Sequence, residues 1–144
     1  MLTAEAMGEL AGCLSDRGVA IFNLTGSLKN GLGPSRWSVV KTIRSVLPNT
    51  LLYYRRHRGA THVIVVASRR SLEHRAAPLR NVPGPFLSAL SDLLDAPRPL
   101  DEEALARARV LTDDSNVFSQ LNVGDALDQR RGMLGEVPVP LLVN

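Results

Sequence analysis

Six residues, Arg-His-Arg-Gly-Ala-Thr at positions 56–61, separate two apolar runs of strand length, 50–55 and 62–67. Two parallel neighbours in a sheet need a crossover of about a dozen residues or more, whereas antiparallel neighbours can be joined by a short turn. The spacing therefore predicts an antiparallel hairpin, with Gly59 in its connection. A third run, Val19-Ala-Ile-Phe-Asn-Leu24, lies upstream and is almost continuously apolar. Such runs are typical of strands covered on both faces, as in a parallel sheet flanked by helices.

Helical periodicity fills the gaps. Met7, Leu10, Ala11 and Leu14 fall on one face of a helix over 4–16, with Thr3 as N-cap and Gly18 as its stop. Pro34 and Ser35 open a second helix from Arg36 to Leu47. Its apolar face is Trp37, Val40, Ile43, Val46 and Leu47, with Lys41 and Arg44 toward solvent, and Pro48-Asn49 ends it. The order helix, strand, helix, strand, strand defines an α/β class. Residues 68–85 are basic and hold three prolines, which suits an irregular excursion. A short amphipathic helix over 86–95, an acid-opened helix over 101–109 and a helix ending at Arg131 follow. The domain is placed at 1–131, with 132–144 as a tail.

Composition narrows the class of protein. The chain has 144 residues, 44% of them hydrophobic and 22% charged, which is a globular balance for one domain. No apolar run reaches the roughly 18–20 residues of a bilayer span. The start, MLTAEAMGEL, has neither a basic nor an apolar signal region. A cytoplasmic chain is expected. Cys13 is the one cysteine, so no internal disulfide forms, and its place beside the apolar stripe of the first helix predicts a partly buried thiol.

Charge is distributed unevenly. From Lys29 to Arg80 eleven Lys and Arg face one acid, Glu73, a balance of +10; the remaining six bases and thirteen acids sum to −7. A basic middle can serve nucleic acid, through Arg55, Arg56, Arg58, Arg69 and Arg70, or can simply be solvated. With only 4% aromatics, and Trp37, Tyr53 and Tyr54 as the stacking groups of this region, single-strand recognition is poorly equipped. The loop TGSLKNGLGPS at 25–35 sits where phosphate loops sit, between a strand and a helix. It lacks the lysine and hydroxyl of GxxxxGK[ST] and the spacing of GxGxxG, so it reads as a flexible or substrate-facing loop. His57, His62 and His74 have no partner at metal-ligand spacing, and no serine sits in a nucleophile elbow. Asp113 and Asp114 stand apart as an acidic pair. Either Asp114 or Ser115 caps a following helix, or the pair faces a cationic ligand.

Four segments, LTAEAMGELAGCLSDRGVAIFNL, RWSVVKTIRSVLPNTLLYY, THVIVVASRRSL and VLTDDSN, cover nearly all of residues 2–116. In this order and spacing they resemble the C-terminal half of the spermidine synthase (polyamine aminopropyltransferase) family. That family has an S-adenosylmethionine-dependent methyltransferase-like, Rossmann-like fold. The nearest likeness is to bacterial members fused to, or encoded beside, a membrane module, which implies a possible membrane association. The resemblance implies that 19–24 is the fifth strand of a seven-strand sheet, with 50–55 and 62–67 its closing pair and the last strand antiparallel.

In the family, the donor is held by a glycine-rich loop after the first strand and an acid after the second. The catalytic aspartate follows the fourth strand. These precede the matched region, so the resemblance assigns no catalytic or cofactor-binding residue here. The chain alone is expected to bind neither S-adenosylmethionine nor its decarboxylated form, and to be inactive in polyamine biosynthesis. It would supply an acceptor-side wall from the 25–36 loop with Tyr53 and Tyr54; Trp37, Asp113 and Asp114 complete the substrate-side candidates, and no metal is called for.

The family's amine-binding Gln and Glu ahead of the tryptophan helix are replaced by KNGLGPSRW. Its P-T-Y-P-x-G segment is replaced by RRHRGAT, with Arg56, His57 and Arg58. Cations repel a diamine, so an anionic or neutral acceptor is expected. The apolar 19–24 edge would be exposed in a half-sheet, which predicts a marginal monomer or pairing through that edge, with a second copy or with the N-terminal half of the fold. The alternative readings are a non-catalytic interaction module docking on a full-length paralogue or membrane partner, and the nucleic-acid binder.

Overall fold

A computed structural model describes residues 2–27, 32–57, 60–73, 83–84 and 96–116, together with positions 118, 120, 123 and 127. In chain order the elements are α1 (Ala4–Cys13), β1 (Ala20–Ser27), α2 (Pro34–Val46), β2 (Asn49–His57), β3 (Ala60–Ser68) and α3 (Glu102–Arg107). The expected helix over 86–95, the loop at 28–31, His74 and the tail lie outside the described residues.

The three strands form one sheet in the order β1-β3-β2, and both pairings are antiparallel. The hairpin inferred from the six-residue spacing is present and tighter than expected: His57 pairs with Ala60. β1 departs from the parallel-sheet expectation. Its only neighbour among the described residues is β3, which runs against it from Ala20↔Ala67 to Ser27↔Ala60. β1 and β2 consequently point the same way. The chain leaves β1, passes through α2 and returns as β2 one position beyond its neighbour, and β3 then fills the gap.

Directly opposed residues in antiparallel strands share a face of the sheet. One face carries the rows Ala20–Ala67–Thr50 and Phe22–Val65–Leu52. It packs under the helices in a core that includes Met7, Ala11, Trp37, Val40, Ile43, Leu47 and Leu105. Ile43, Leu47, Leu52 and Leu111 are fully buried, each contributing about 1.5–3 kcal/mol by removal from water. The other face carries Ile21–Val66–Leu51 and Asn23–Ile64–Tyr53. Here the expectation of a strand covered on both sides fails at β1, because Ile21 is 70% exposed.

The helices follow their local signals with two adjustments. Thr3 caps α1 by accepting the Ala6 amide at 3.4 Å, as its spacing predicted. The helix ends at Cys13, a turn before the expected Asp16, and Cys13 is exposed rather than partly buried. Gly18 closes the turn that follows, donating to the Ser15 carbonyl at 2.8 Å. A side chain there would bring its Cβ to 2.9 Å from the Leu14 Cβ and the Ser15 oxygen, so the turn requires glycine. α2 begins at Pro34 on a Gly33 N-cap that gives no side-chain bond. It is buried well beyond its apolar stripe, at Ser35, Arg36, Ser38 and Thr42 as well.

Candidate functional site

The buried polar groups of α2 explain what the LTDD segment does. Ser38 and Thr42 are one helical turn apart and so lie on the same face. Ser38 Oγ accepts the Arg109 amide at 3.2 Å, and Thr42 Oγ1 accepts the Leu111 amide at 2.8 Å. Leu111 passes the connection on, its carbonyl accepting the Ala4 amide at 2.7 Å. The Asp113 amide donates to Glu5 Oε2 at 3.1 Å. Residues 109–113 thus form a strap that joins the start of α1 to the middle of α2. Asp113 and Asp114 are both exposed.

Among the described residues, the capping role proposed for Asp114 or Ser115 falls to their neighbour. Ser115 donates its amide to the Thr112 carbonyl and hydroxyl in a turn, and the side chain that accepts a following amide is Asn116, from Phe118 at 3.1 Å. Positions 118, 120, 123 and 127 are helical, as expected for this stretch.

The aromatic candidates occupy different places. Trp37 belongs to the helix-covered core with Val63 and Val65. Tyr53 follows Leu52 in β2 and therefore lies on the opposite face, in the row with Ile64 and Asn23, at 5% exposure. The sheet separates the two rings. Burial raises the Tyr53 phenol above its ordinary value, which keeps it neutral and a donor rather than a base. Tyr54 holds the register position opposite Val63.

What the topology does gather is one end of the sheet. Ser27, Ala60 and His57 form a single row, so the C-terminal ends of β1 and β2 lie side by side. The last positions of β2 are Arg55, Arg56 and His57, and β3 opens nearby with His62 opposite Arg55. β1 leads from this end toward the start of α2 at Gly33–Pro34, whose first turn holds the buried Arg36. The end of the sheet where β1 and β2 finish therefore carries the basic positions. Clustered basic residues repel cations and favour an anion.

A concavity of about 420 Å³ lies between α2 and α3 and is lined by Lys41, Arg44, Ser45, Glu102, Leu105, Ala106 and Val110. Its charges are already engaged. Lys41 was expected to face solvent; instead its Nζ donates to the Ala106 and Ala108 carbonyls at 3.2 and 2.8 Å, satisfying the C-terminal end of α3. Arg44 pairs with Glu102 at 3.2 Å. This cleft is part of the packing of α3. No group of three or more His, Cys, Asp or Glu among the described residues is placed to hold a metal ion.

Sequence reading missed Ser38 and Thr42, although the signal was there: two hydroxyls four residues apart on the flank of an apolar helical face. No family model matches the chain, and neither a curated protein nor a solved structure is detectably similar to it. Among the described residues, no helix is long and apolar enough to cross a membrane.

Proposed function

We propose that this chain forms the acceptor-side half of a spermidine-synthase-like, S-adenosylmethionine-type transferase domain. The observation that carries the reading is the strand arrangement. β1 and β2 run in one direction through a helical crossover, and β3, the last strand among the described residues, lies antiparallel to both. A fifth strand followed by a closing pair with an antiparallel last member has these directions.

In the parent reaction an acceptor lone pair attacks the carbon beside the sulfonium. The new bond to carbon forms as the carbon–sulfur bond breaks, its electrons stay on sulfur, and a base takes the acceptor's proton. Orientation and exclusion of water supply most of the acceleration. The residues here would shape the acceptor side at the Ser27–His57 end of the sheet, where Arg55 and Arg56 disfavour a diamine and suit an anionic or neutral acceptor. The donor and the proton-accepting group belong to the other half of the domain.

The test is calorimetric titration of the 144-residue chain with S-adenosylmethionine and methylthioadenosine, beside photolabelling of source-cell extract with a photoreactive S-adenosylmethionine. The chain alone is expected to bind neither compound, and the native species containing these residues is expected to label. Micromolar binding by the chain alone would put a donor site in these residues and overturn the half-domain reading. An unlabelled native species would overturn the transferase reading itself.

A further inference from the structure

The antiparallel register sorts the basic positions at the end of β2 onto two faces. Directly opposed residues share a face, and so do alternate residues along one strand. Arg55 lies opposite His62, which lies opposite Thr25; two residues on, His57 lies opposite Ala60, which lies opposite Ser27. Arg55, His57 and His62 therefore fall together on the face away from the helix-covered core, in two adjacent rows with Thr25 and Ser27. Arg56 falls on the other face, in the row with Thr61 and Gly26. Asn23, one row further in on the face of Arg55, is exposed.

We propose that these two rows form a binding site for a phosphate-type oxyanion, with Arg55, His57 and His62 supplying the charge and Thr25 and Ser27 the hydroxyl donors. None of the three strands contains Asp or Glu, so the face holds cations and no carboxylate to neutralise them. Opposed positions in antiparallel strands have Cβ atoms about 4.5–5.5 Å apart, where like charges destabilise the pair. Arg55 and a protonated His62 are such a pair, and an anion shared between them turns the repulsion into attraction.

The histidines set the pH range of binding. An ordinary imidazole titrates near about pH 6.5, so protonation of His57 and His62 adds to the permanent charge of Arg55 as pH falls. Among the described residues, the other titratable position on this face is Tyr53, which is neutral in this range. β1 brings Asn23, Thr25 and Ser27, none of which titrates. Arg98, opposite Leu52 at the β2 edge, belongs to the other face.

Calorimetric titration of the 144-residue chain with sodium sulfate, a dianion at both pH 5.5 and pH 8.0, tests the site. An H74Q background leaves His57 and His62 as the imidazoles that titrate. Sulfate is expected to bind at pH 5.5 and to weaken by about tenfold or more at pH 8.0. R55Q should reduce affinity at both pH values, and R55K should recover most of it. H57Q and H62Q should each flatten the pH dependence, whereas R107Q, which removes an exposed cation on α3, should leave binding as it is. Circular dichroism checks that each variant is folded. At pH 5.5, tighter binding of phenyl phosphate than of inorganic phosphate assigns the site to an ester, and the reverse assigns it to the free ion.

No sulfate binding in the millimolar range at pH 5.5 would overturn the proposal, as would an affinity indifferent to pH or equal losses in R55Q and R107Q. The inference rests on the transferase reading only in making this ligand an acceptor. Sulfate binding by the chain and donor labelling of the native species are separate measurements, so each can fail without the other.

Discussion

The Thr42 hydroxyl and the Leu111 amide meet at 2.8 Å in a place closed to water, with Thr42 1% and Leu111 0% exposed. The same hydroxyl donates to the Ser38 carbonyl at 2.7 Å, so one oxygen serves as donor to its own helix and acceptor for the strap. This contact ties residues 69 positions apart in the chain and fixes where 109–113 crosses α2.

Replacing Thr42 with Val keeps the shape of the side chain and leaves the Leu111 N–H buried without its acceptor. The expected loss is about 1–3 kcal/mol, the cost of an unsatisfied buried donor, read from urea unfolding midpoints. T42S retains the oxygen and should recover most of that loss. A stable T42V beside a destabilised T42S would show that the methyl group, and not the hydrogen bond, is what matters.

Two glycines should respond to alanine in opposite directions. At Gly8, inside α1, an added Cβ meets nothing within 4 Å, and alanine improves helix propensity by about 0.5–1 kcal/mol. At Gly18 the Cβ would collide with Leu14 and with backbone at 2.9 Å, which should cost about 1–3 kcal/mol. Thermal unfolding of G8A and G18A checks both signs.

Lys41→Met removes the donor that satisfies the Ala106 and Ala108 carbonyls. The loss should be about 0.5–1.5 kcal/mol, and it should be local. Hydrogen exchange at the Ala108 amide, which donates to the Ala104 carbonyl at 3.0 Å, is expected to accelerate while the β3 amides keep their protection. Uniform acceleration throughout the sheet would mean that α3 is not an independent appendage.

Tyr53 gives the chain an alkaline dependence of stability. Its phenol is raised in the folded state by burial, whereas the unfolded chain titrates near pH 10. The folded state therefore holds the proton longer. This contribution is complete below about pH 10 and is lost as pH rises through the folded value. In Y54F, where Tyr53 is the one tyrosine left, phenolate absorbance should rise above pH 10 and coincide with unfolding. A transition at the ordinary value in a folded protein would contradict the burial.

The local elements were legible because their signals are local. Thr3 caps α1, and Asp101, which accepts the Ala104 amide at 2.9 Å, caps α3. The six residues between two apolar runs forced β2 and β3 to be antiparallel neighbours by length alone. The candidate site was legible only as composition: Arg55, Arg56 and His57 were visible as a basic strip, while their position beside the end of β1 required the β1-β3-β2 order. Trp37 and Tyr53 were both substrate-side candidates until the register put the sheet between them, since a strand reverses its face at every residue.

Among the described residues, the sequence by itself determined the class of the main elements, the hairpin, the Thr3 cap and the uneven charge, because hydrophobic period, backbone preference and loop length act over a few residues. Only the tertiary structure decided that β3 separates β1 from β2, that Ile21 of β1 stands in solvent, and that 109–113 is held by Ser38 and Thr42. Those features depend on which distant segments meet. An apolar run reads the same whether one of its faces or both are covered, and a hydroxyl on a helix shows its role only when the amide it accepts arrives from 69 residues away.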